Sequence, residues 1–402
     1  MNDVERIIEA SNQGDLILPS TKTPSIVDLS NAVGSIAGIK GLTGSANVQK
    51  LIDMIGSNDH LVLVIVDGLG MNVVQEAGNS NSLFSNTAME LVTVFPSTTS
   101  TVLTSYATGL WPSQHGVPNW HLYIKEIDTI STIIRFNRRY DQMDLSTLGI
   151  TPRQAYPAES MISKFDRTTL GVIPELIADT AYSTYWRGHS PCETYKTFEE
   201  AVNIVSNHLN RAIDSTFTHL YYSEVDTLSH QNGIDHDLVK LEIKKIDFHI
   251  SHLLDKLPPR STVIVSADHG LKNSGPQNII RLESSDDLLN CLDREPWGTG
   301  RAVNFAVTKD MSDEFETRFR ERFGDHFYLL SSSEILELNL LGQNPVSDIT
   351  KSRIGNYWAI SKGASVIDYR YPTAVPKTHV DQASHGGLSQ DEMMVPLILM
   401  KT

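Results

Sequence analysis

The sequence predicts an α/β protein whose central, mostly parallel β-sheet is sandwiched by helices, with a further subdomain inserted into the chain. Short continuous apolar segments alternate with segments of helical periodicity, which is typical of strands that are covered on both faces. Some of these segments lead straight into an aspartate, as Leu61–Val66 does at Asp67. Because ligands bind at the carboxyl ends of strands in such sheets, the same pattern predicts a functional site at one sheet edge.

The first half of the chain carries most of the predicted core elements. Residues 1–24 are polar, and we expect them to lie on the surface. Residues 118–165 mix aromatic, charged and apolar residues without a sustained period, so we expect this segment to cover a site. The other predicted elements are a helix at Val48–Ile55, strands at Leu61–Val66 and Ala88–Val94, helices at Val102–Leu110 and Leu170–Ala178, a short strand at Tyr182–Trp186 and a helix at Thr197–Asp214.

The second half returns to the sheet and then leaves it for a long insertion. We expect residues 272–383 to form an inserted subdomain, with its own strands outside the central sheet, within one catalytic domain that spans residues 1–402. The predicted elements are a strand at Thr218–Ser223, an amphipathic helix at Leu238–Leu257 that ends at Pro258, a strand at Ser261–Ser266, insertion strands near Ala302–Val307 and Ile354–Ile367, one insertion helix near Met311–Phe323, and a last core strand at Val395–Met400.

Composition narrows the possible functions. Of the 402 residues, 48 are acidic and 33 are basic, which gives a formal net charge of −15. This charge argues against nucleic-acid polymers and anionic membranes as partners, and it would repel phosphate-like substrates unless metal ions neutralise some carboxylates. Two cysteines provide no disulfide framework. The N-terminus has no signal-peptide pattern and no segment approaches the ~20 apolar residues of a membrane span, so we expect a soluble, cytoplasmic protein.

Six potential metal ligands and one hydroxyl fall at the predicted sheet edge. Taken singly, each has a structural explanation: an aspartate in a turn, a solvated pair on a helix face, or a buried structural histidine. Their common position favours a site, because carboxylates and neutral imidazoles are ligands of zinc and also of manganese. A threonine at the start of a helix suits an oxygen nucleophile that acts on an anionic group. The residues are Asp67, Thr99, Asp226, His230, Asp268, His269 and His385.

Six short motifs follow one another between Leu61 and Met400. They are Val66-Asp67-Gly68, Phe95-Pro96-Ser97-Thr98-Thr99, Thr108-Gly109-Leu110-Trp111-Pro112 with His115-Gly116, Asp226-x-x-x-His230, Ala267-Asp268-His269-Gly270 and Ser384-His385-Gly386. Through these motifs the chain resembles the alkaline phosphatase superfamily and, within it, the type I phosphodiesterase/nucleotide pyrophosphatase family. The resemblance implies an alkaline phosphatase-like fold and a hydrolase with two divalent metal ions, usually zinc. It places Asp226, His230 and His385 around one ion, and Asp67, Asp268, His269 and the Thr99 hydroxyl around the other.

The resemblance also selects the nucleophile. In the family it lies three residues after a proline and nine before the threonine of the Thr-Gly-Leu motif, and Pro96 and Thr108 both point to Thr99. The family carries an asparagine shortly after the His-Gly pair, which donates a hydrogen bond to a phosphoryl oxygen. Asn119 is the candidate here, although its spacing from His115 is one residue short.

The implied reaction forms a covalent phospho-threonine on Thr99, which water then hydrolyses. The expected substrate is a small molecule with a phosphodiester or nucleotide pyrophosphate bond; the alternative is a phosphomonoesterase or phosphonate hydrolase of the same superfamily. A non-catalytic protein with this fold would be expected to have lost a ligand, and a dinucleotide-binding protein would carry G-x-G-x-x-G after the first strand, which is absent. Arginines that could serve the extra charge of a monoester are Arg135, Arg138, Arg139 and Arg301.

Overall fold

A computed structural model describes residues 2–76, 78, 82–343, 345–369 and 380–402. Its strands are β1 (His60–Val66), β2 (Thr87–Val92), β3 (His121–Ile124), β4 (Thr129–Thr132), β5 (Asn137–Arg138), β6 (Thr168–Pro174), β7 (Cys192–Tyr195), β8 (Thr216–Tyr222), β9 (Ser261–Ser266), β10 (Lys272–Asn273), β11 (Ile279–Leu282), β12 (Trp297–Thr299), β13 (Ala302–Phe305), β14 (Phe327–Ser331), β15 (Tyr357–Ser361), β16 (Val366–Tyr369), β17 (Ala383–Ser384) and β18 (Met394–Lys401).

The helices lie between these strands. They are α1 (Asp3–Gln13), α2 (Ile26–Ile36), α3 (Ala46–Ile55), α4 (Met71–Glu76), α5 (Ser82–Ser85), α6 (Thr99–Thr108), α7 (Pro112–His115), α8 (Pro152–Ala155), α9 (Ala181–Trp186), α10 (Phe198–Arg211), α11 (Glu224–Asn232), α12 (Asp237–Leu254), α13 (Ser312–Phe323), α14 (Ser332–Glu337), α15 (Asp348–Arg353) and α16 (Gln390–Met393). In the described part of the chain, no helix combines the length and apolar composition needed to cross a bilayer.

A seven-stranded sheet forms the centre of the protein, in the order β2-β18-β9-β1-β8-β6-β7. The strands from β9 to β7 pair in parallel, whereas β18 pairs antiparallel with both β9 and β2. Every residue of β9 is buried, as a strand covered on both faces requires. Buried side chains of α2, α3, α6, α10 and α12 pack with the central strands into one hydrophobic core. The predicted α/β fold with a mostly parallel sheet is confirmed.

The chain between β10 and β17 builds sheets of its own. β12, β13, β15 and β14 form an antiparallel sheet, and β11 pairs in parallel with β16. α13 packs its phenylalanines against this sheet in a second buried cluster, and α14 and α15 are helices that the sequence did not predict. β10 and β17 pair with each other, so the insertion leaves the core and returns to it at the same place. Its status as a separate subdomain over residues 272–383 stays a prediction.

The segment at residues 118–165 contacts this insertion. β3, β4 and β5 form a three-stranded antiparallel sheet within it. The ring of Tyr123 lies 6.1 Å from that of Trp297, and Arg139 Nη1 donates a hydrogen bond of 3.1 Å to the carbonyl of Pro296. The two segments therefore pack on each other, and the covering role of residues 118–165 stays a prediction.

Two secondary-structure predictions were wrong. Leu170–Ala178 was expected to be a helix, but β6 occupies most of it, because a short continuous apolar run fits a buried strand as well as a buried helix. Tyr182–Trp186 was expected to be a strand, but it belongs to α9. Thr180 caps this helix, its Oγ1 accepting the Ser183 N–H at 3.1 Å, and the cap outweighs the strand preference of the aromatic residues.

The N-terminal residues also differ from expectation. Instead of lying wholly on the surface, residues 3–13 form α1, which starts with a capping box between Asn2 and Glu5. Ile7 on this helix is completely buried, in a cluster with residues of the insertion. A single fully buried apolar residue in a helix of 11 residues is too weak a sequence signal to separate such a helix from a polar surface segment.

Candidate active site

Three adjacent parallel strands bring three aspartates to one edge of the sheet. β1 lies between β8 and β9, and Asp67, Asp226 and Asp268 follow these strands at their carboxyl ends. The Asp67 N–H donates to the Tyr222 carbonyl at 2.8 Å, and the Asp226 N–H donates to the Asp67 carbonyl at 3.1 Å. Gly68 has a φ of 77°, and a Cβ there would lie 2.9 Å from the Asp226 Cα, so this close approach requires glycine.

Three histidines reach the same edge from separate parts of the chain. His269 follows Asp268, and His230 lies one turn after Asp226 on α11. His385 directly follows β17, so the pairing of β17 with β10 returns it to the place where the chain left the core. The ring centroids of His269 and His385 are 3.7 Å apart, and those of His230 and His385 are 5.2 Å apart.

Each of the three imidazoles is oriented by a backbone carbonyl. A carbonyl oxygen only accepts, so Nδ1 carries the proton and Nε2 of the neutral ring keeps its lone pair. Metal-binding histidines are commonly oriented in this way. The Nδ1–oxygen pairs are His230 with Ala383 at 2.8 Å, His385 with Ser97 at 2.9 Å and His269 with Gly270 at 3.1 Å.

The Nε2 atoms face carboxylate oxygens that lack a hydrogen-bond partner. Three buried oxygens are unpartnered: Oδ1 of Asp67, Oδ1 of Asp226 and Oδ2 of Asp268. A buried, unpaired carboxylate oxygen is unfavourable, and a bound cation removes that penalty. The Nε2–oxygen separations are 3.4 Å for His230–Asp226, 3.8 Å for His385–Asp226, 3.4 Å for His269–Asp67 and 3.4 Å for His269–Asp268.

Burial without a cation shifts these groups toward their neutral forms. Loss of hydration raises the pKa of Asp226 and of Asp268 to about 7. Loss of hydration, together with the charge of Asp268, raises the pKa of Asp67 well above its usual value. Desolvation lowers the pKa of His269 to about 3 and that of His385 well below its ordinary value. His269 and His385 are therefore ready ligands, and the carboxyl groups would lose their protons to a cation.

The donor set fits divalent cations of the zinc type. It combines unpartnered buried oxygens with neutral imidazoles whose second nitrogen is tied to the backbone. Asp226 belongs to two groups whose ligand atoms all lie within 4.8 Å of one another, so it stands between two candidate positions, whereas the resemblance gave it to one ion and gave Asp268 to the other. The groups are Asp226 with His230 and His385, and Asp67 with Asp226 and His269.

Thr99 presents its hydroxyl to this cluster from the first residue of α6. Its Oγ1 lies 3.3 Å from Nε2 of His269. The helix N-terminus offers unpaired backbone N–H groups and a favourable dipole to an anion. The next residue, Ser100, holds the segment in place: its hydroxyl donates to the Asn119 carbonyl at 3.0 Å, and its carbonyl accepts from the Tyr182 hydroxyl at 2.9 Å.

Asn119, the candidate for binding a phosphoryl oxygen, makes its side-chain hydrogen bonds within the protein in this structure. It is fully buried, and its amide nitrogen donates to the Ala302 carbonyl at 3.0 Å and to Oδ1 of Asn304 at 2.9 Å. Its Oδ1 accepts the Trp120 N–H at 2.9 Å. No amide hydrogen is left for a phosphoryl oxygen in this arrangement. These contacts join the core to the insertion, and the substrate-binding role of Asn119 stays a prediction.

Tyr221 is a site residue that the sequence analysis missed. It is buried on β8, and its hydroxyl donates a short hydrogen bond to Oδ2 of Asp67. This bond orients the Asp67 carboxylate and leaves Oδ1 facing His269. An aromatic residue inside an apolar strand gives no sign of such a role, because its alternation with neighbours predicts only burial.

The fold and the site define an alkaline phosphatase-like hydrolase of phosphoester bonds. Residues 61–388 match the family described as type I phosphodiesterase / nucleotide pyrophosphatase, and the chain belongs to this family. The resemblance seen in the motifs is thereby confirmed.

Several solved structures share the fold at low sequence identity. Murine ectonucleotide pyrophosphatase / phosphodiesterase 5 is 16% identical with a TM-score of 0.62, over 85% of this chain and 88% of that chain. Its inactive threonine-to-alanine variant in complex with AMP has a TM-score of 0.60 at 16% identity, over 85% and 87%. Phosphonoacetate hydrolase from Sinorhizobium meliloti 1021, in complex with phosphonoformate, has a TM-score of 0.60 at 16% identity, over 86% and 90%. No curated protein matches the chain.

Proposed function

We propose that this protein hydrolyses small-molecule phosphodiesters or nucleotide pyrophosphates, with two divalent cations and Thr99 as the nucleophile. One observation carries the proposal: Thr99 Oγ1 lies 3.3 Å from His269 Nε2, at the edge of a buried carboxylate and imidazole cluster with unpartnered oxygens. Zinc fits the donor set best, and manganese is the second choice. Family membership and the inactive threonine-to-alanine variant of the murine protein support the same reading.

The residues of the chain have distinct parts in the proposed reaction. Bound cations would polarise the phosphoryl group and lower the pKa of the Thr99 hydroxyl. The first turn of α6 would direct Thr99 Oγ1 at the phosphorus atom; attack displaces one substituent as an alcohol or a phosphate, which takes up the Thr99 proton, and gives a phospho-threonine that still carries the second ester group. Water then attacks the same phosphorus, the bond to Oγ1 breaks, Thr99 regains a proton from the water, and the phosphomonoester product leaves. Tyr221 and the backbone carbonyls hold the Asp67 carboxylate and the imidazoles in place throughout.

The arginine contacts favour a diester over a monoester. A phosphomonoester carries more charge than a diester, and an added arginine would serve it. Arg301 is buried and paired with Glu392, Arg138 is paired with Asp141, and Arg139 donates to a backbone carbonyl. Arg135 is exposed. Three of these four arginines are therefore already engaged in contacts within the protein. Phosphonate hydrolysis is the second candidate, because the phosphonoacetate hydrolase matches the fold about as well as the murine protein does.

The test compares substrates on one metal-defined preparation. Protein stripped with a chelator is reloaded with zinc or with manganese, and bound metal is counted by elemental analysis. kcat/KM is then measured for bis(p-nitrophenyl) phosphate, p-nitrophenyl phosphate, a nucleotide sugar and phosphonoacetate. We expect about two metals per chain and the highest kcat/KM on the diester or the nucleotide sugar. Highest activity on phosphonoacetate would select the second candidate, and no metal-dependent hydrolysis of any substrate would overturn the proposal.

A further inference from the structure

A buried ion pair joins the insertion to the end of the core chain. Arg301, in the turn between β12 and β13, donates from Nε to Glu392 Oε1 at 2.6 Å and from Nη2 to Oε2 at 2.9 Å. Its remaining hydrogen bonds go to the carbonyls of Ser365 and Gly363. Arg301 is 1% exposed and Glu392 is 0% exposed, so the pair is desolvated and its two parallel bonds fix its geometry.

Glu392 uses the same two oxygens to hold the loop at residues 385–389. Its Oε1 accepts the Gly387 N–H at 2.7 Å, and its Oε2 accepts the Ser389 hydroxyl at 2.6 Å. A Cβ on Gly387 would lie 2.8 Å from Oε2, so the loop backbone comes as close to the carboxylate as a glycine permits. The charge-assisted bonds lower the pKa of Glu392 against the opposing effect of its burial, so this carboxylate stays ionised.

Ser97 holds the loop from the other side. Its hydroxyl donates to the Gly387 carbonyl at 2.8 Å and accepts the Gly386 N–H at 3.2 Å. Its carbonyl accepts the Nδ1 proton of His385 at 2.9 Å. The loop that carries His385 is thus fixed between Glu392 and Ser97, and the ring orientation of His385 depends on where that loop lies.

We propose that Arg301 and Glu392 are positioning residues for His385. They set the place of the loop so that the His385 Nε2 faces Asp226, at the present separation of 3.8 Å from Oδ1. The inference rests on the proposed function, since it takes His385 as a metal ligand. A buried ion pair adds little net stability compared with apolar residues of the same volume. Outer contacts that orient a ligand, in contrast, affect metal affinity strongly.

The direct test uses Glu392→Gln and zinc alone. Glutamine keeps the length and one acceptor oxygen, but it removes the charge and the paired bonds to Arg301. In calorimetric titration of metal-free protein with Zn²⁺, we expect affinity at the position that includes His385 to fall about tenfold or more. Affinity at the other position should not change. General loosening of the fold would weaken both positions together.

Glu392→Gln leaves a buried arginine without a carboxylate; if it fails to fold for that reason, the double variant Arg301→Met with Glu392→Gln removes both charges of the pair and keeps the test decisive, with the same expected loss of zinc affinity. The other support of the loop is tested separately. Ser97→Ala removes only the hydroxyl that ties the loop, without changing any charge, and keeps the carbonyl that orients His385. We expect it to weaken the same zinc position selectively, by about threefold to tenfold, because one of the two supports of the loop is lost.

The matched control is Arg353→Met. Arg353 is another buried arginine of the insertion, and it donates to the carbonyls of Gly116, Gln154 and Ala155 instead of to the loop. We expect a lower Tm and unchanged zinc affinity. Wild-type zinc affinity in Glu392→Gln or, if that variant does not fold, in the double variant Arg301→Met with Glu392→Gln would refute the positioning role, as would an equal loss in Arg353→Met. Wild-type protein that binds no zinc would overturn the proposed function instead, and this inference with it.

Discussion

Replacing Thr99 by valine tests the nucleophile without changing the shape of the side chain. Thr98 and Thr99 are neighbours, and both are buried, at 0% and 5% exposure. They differ in where the hydroxyl lies: Thr99 Oγ1 is 3.3 Å from His269 Nε2, whereas Thr98 Oγ1 has no hydrogen-bond partner. Valine puts a methyl group where each hydroxyl was, so Thr98→Val is a matched control for Thr99→Val.

The two variants should differ by orders of magnitude in turnover. Without the Thr99 hydroxyl no covalent intermediate forms, and we expect kcat to fall at least about 10³-fold, which is about 4 kcal/mol of activation free energy. Zinc content should stay near wild type, because the six side-chain ligands of the proposed site are unchanged. Thr98→Val removes an unpartnered buried hydroxyl, so kcat should stay within about twofold and stability should be equal or higher by about 1 kcal/mol.

The assay follows bis(p-nitrophenyl) phosphate hydrolysis at saturating zinc, with an acid quench and mass spectrometry to find the phosphorylated peptide. One p-nitrophenolate has left at that stage and the other is still bonded to phosphorus, so the peptide that contains Thr99 should carry a p-nitrophenyl phosphoryl group in wild type and in Thr98→Val only. If Thr98→Val were inactive and Thr99→Val were active, the nucleophile would be Thr98. If both variants kept wild-type turnover, the covalent mechanism would be wrong.

Three further predictions follow from the same geometry. Tyr221→Phe removes the hydroxyl bound to the Asp67 carboxylate and should weaken zinc binding about tenfold in calorimetry with little change in Tm; unchanged affinity would contradict its orienting role. Zinc binding should release protons from Asp226 and Asp268, because burial raises the pKa of each carboxyl group to about 7. The number of protons released, measured from the buffer dependence of the binding enthalpy, should fall as the pH rises from about 6 to about 8.5, because the carboxyl groups are then already ionised before zinc binds. Constant release would contradict those shifts. Asn119→Ala should lower stability by about 1–3 kcal/mol in chemical denaturation, because it leaves buried partners unpaired, and should not change KM for the diester; a large rise in KM would restore its substrate role.

The sequence predicted the parts of the fold in which local pattern and tertiary environment agree. Leu61–Val66 and Ser261–Ser266 are continuous apolar runs, and both are buried neighbouring strands of the central sheet. The helix expected at Val102–Leu110 is present as α6, although it starts three residues earlier, at Thr99. The aspartates that follow these strands then had to meet, because parallel neighbours end at the same edge.

What the sequence could not supply depends on contacts across long separations in the chain. The hydrogen bond from Tyr221 to Asp67, and those from Asn119 to the insertion, join residues whose types predict only burial. Glu392 is a fully buried carboxylate in a stretch that looks like an ordinary polar turn. Its partner, Arg301, lies in the turn between β12 and β13 of the insertion. A local pattern carries no information about such pairs, since either residue alone fits an exposed surface position.

The protein and its proposed substrate are both negatively charged, and cations bound at this edge of the sheet would remove the repulsion between them. The chain has a formal charge of −15, and three of its carboxyl groups meet at the site, the buried Asp67 and Asp268 and the partly buried Asp226, where they would repel a phosphate. In the absence of a cation their raised pKa values make them partly neutral at pH 7. Two divalent cations would ionise all three and leave the cluster with about one positive charge, beside the N-terminus of α6. We therefore expect substrate binding, and not only turnover, to require metal: equilibrium binding of AMP should be lost on chelation and restored by zinc, whereas metal-independent binding would show that another surface attracts the phosphate.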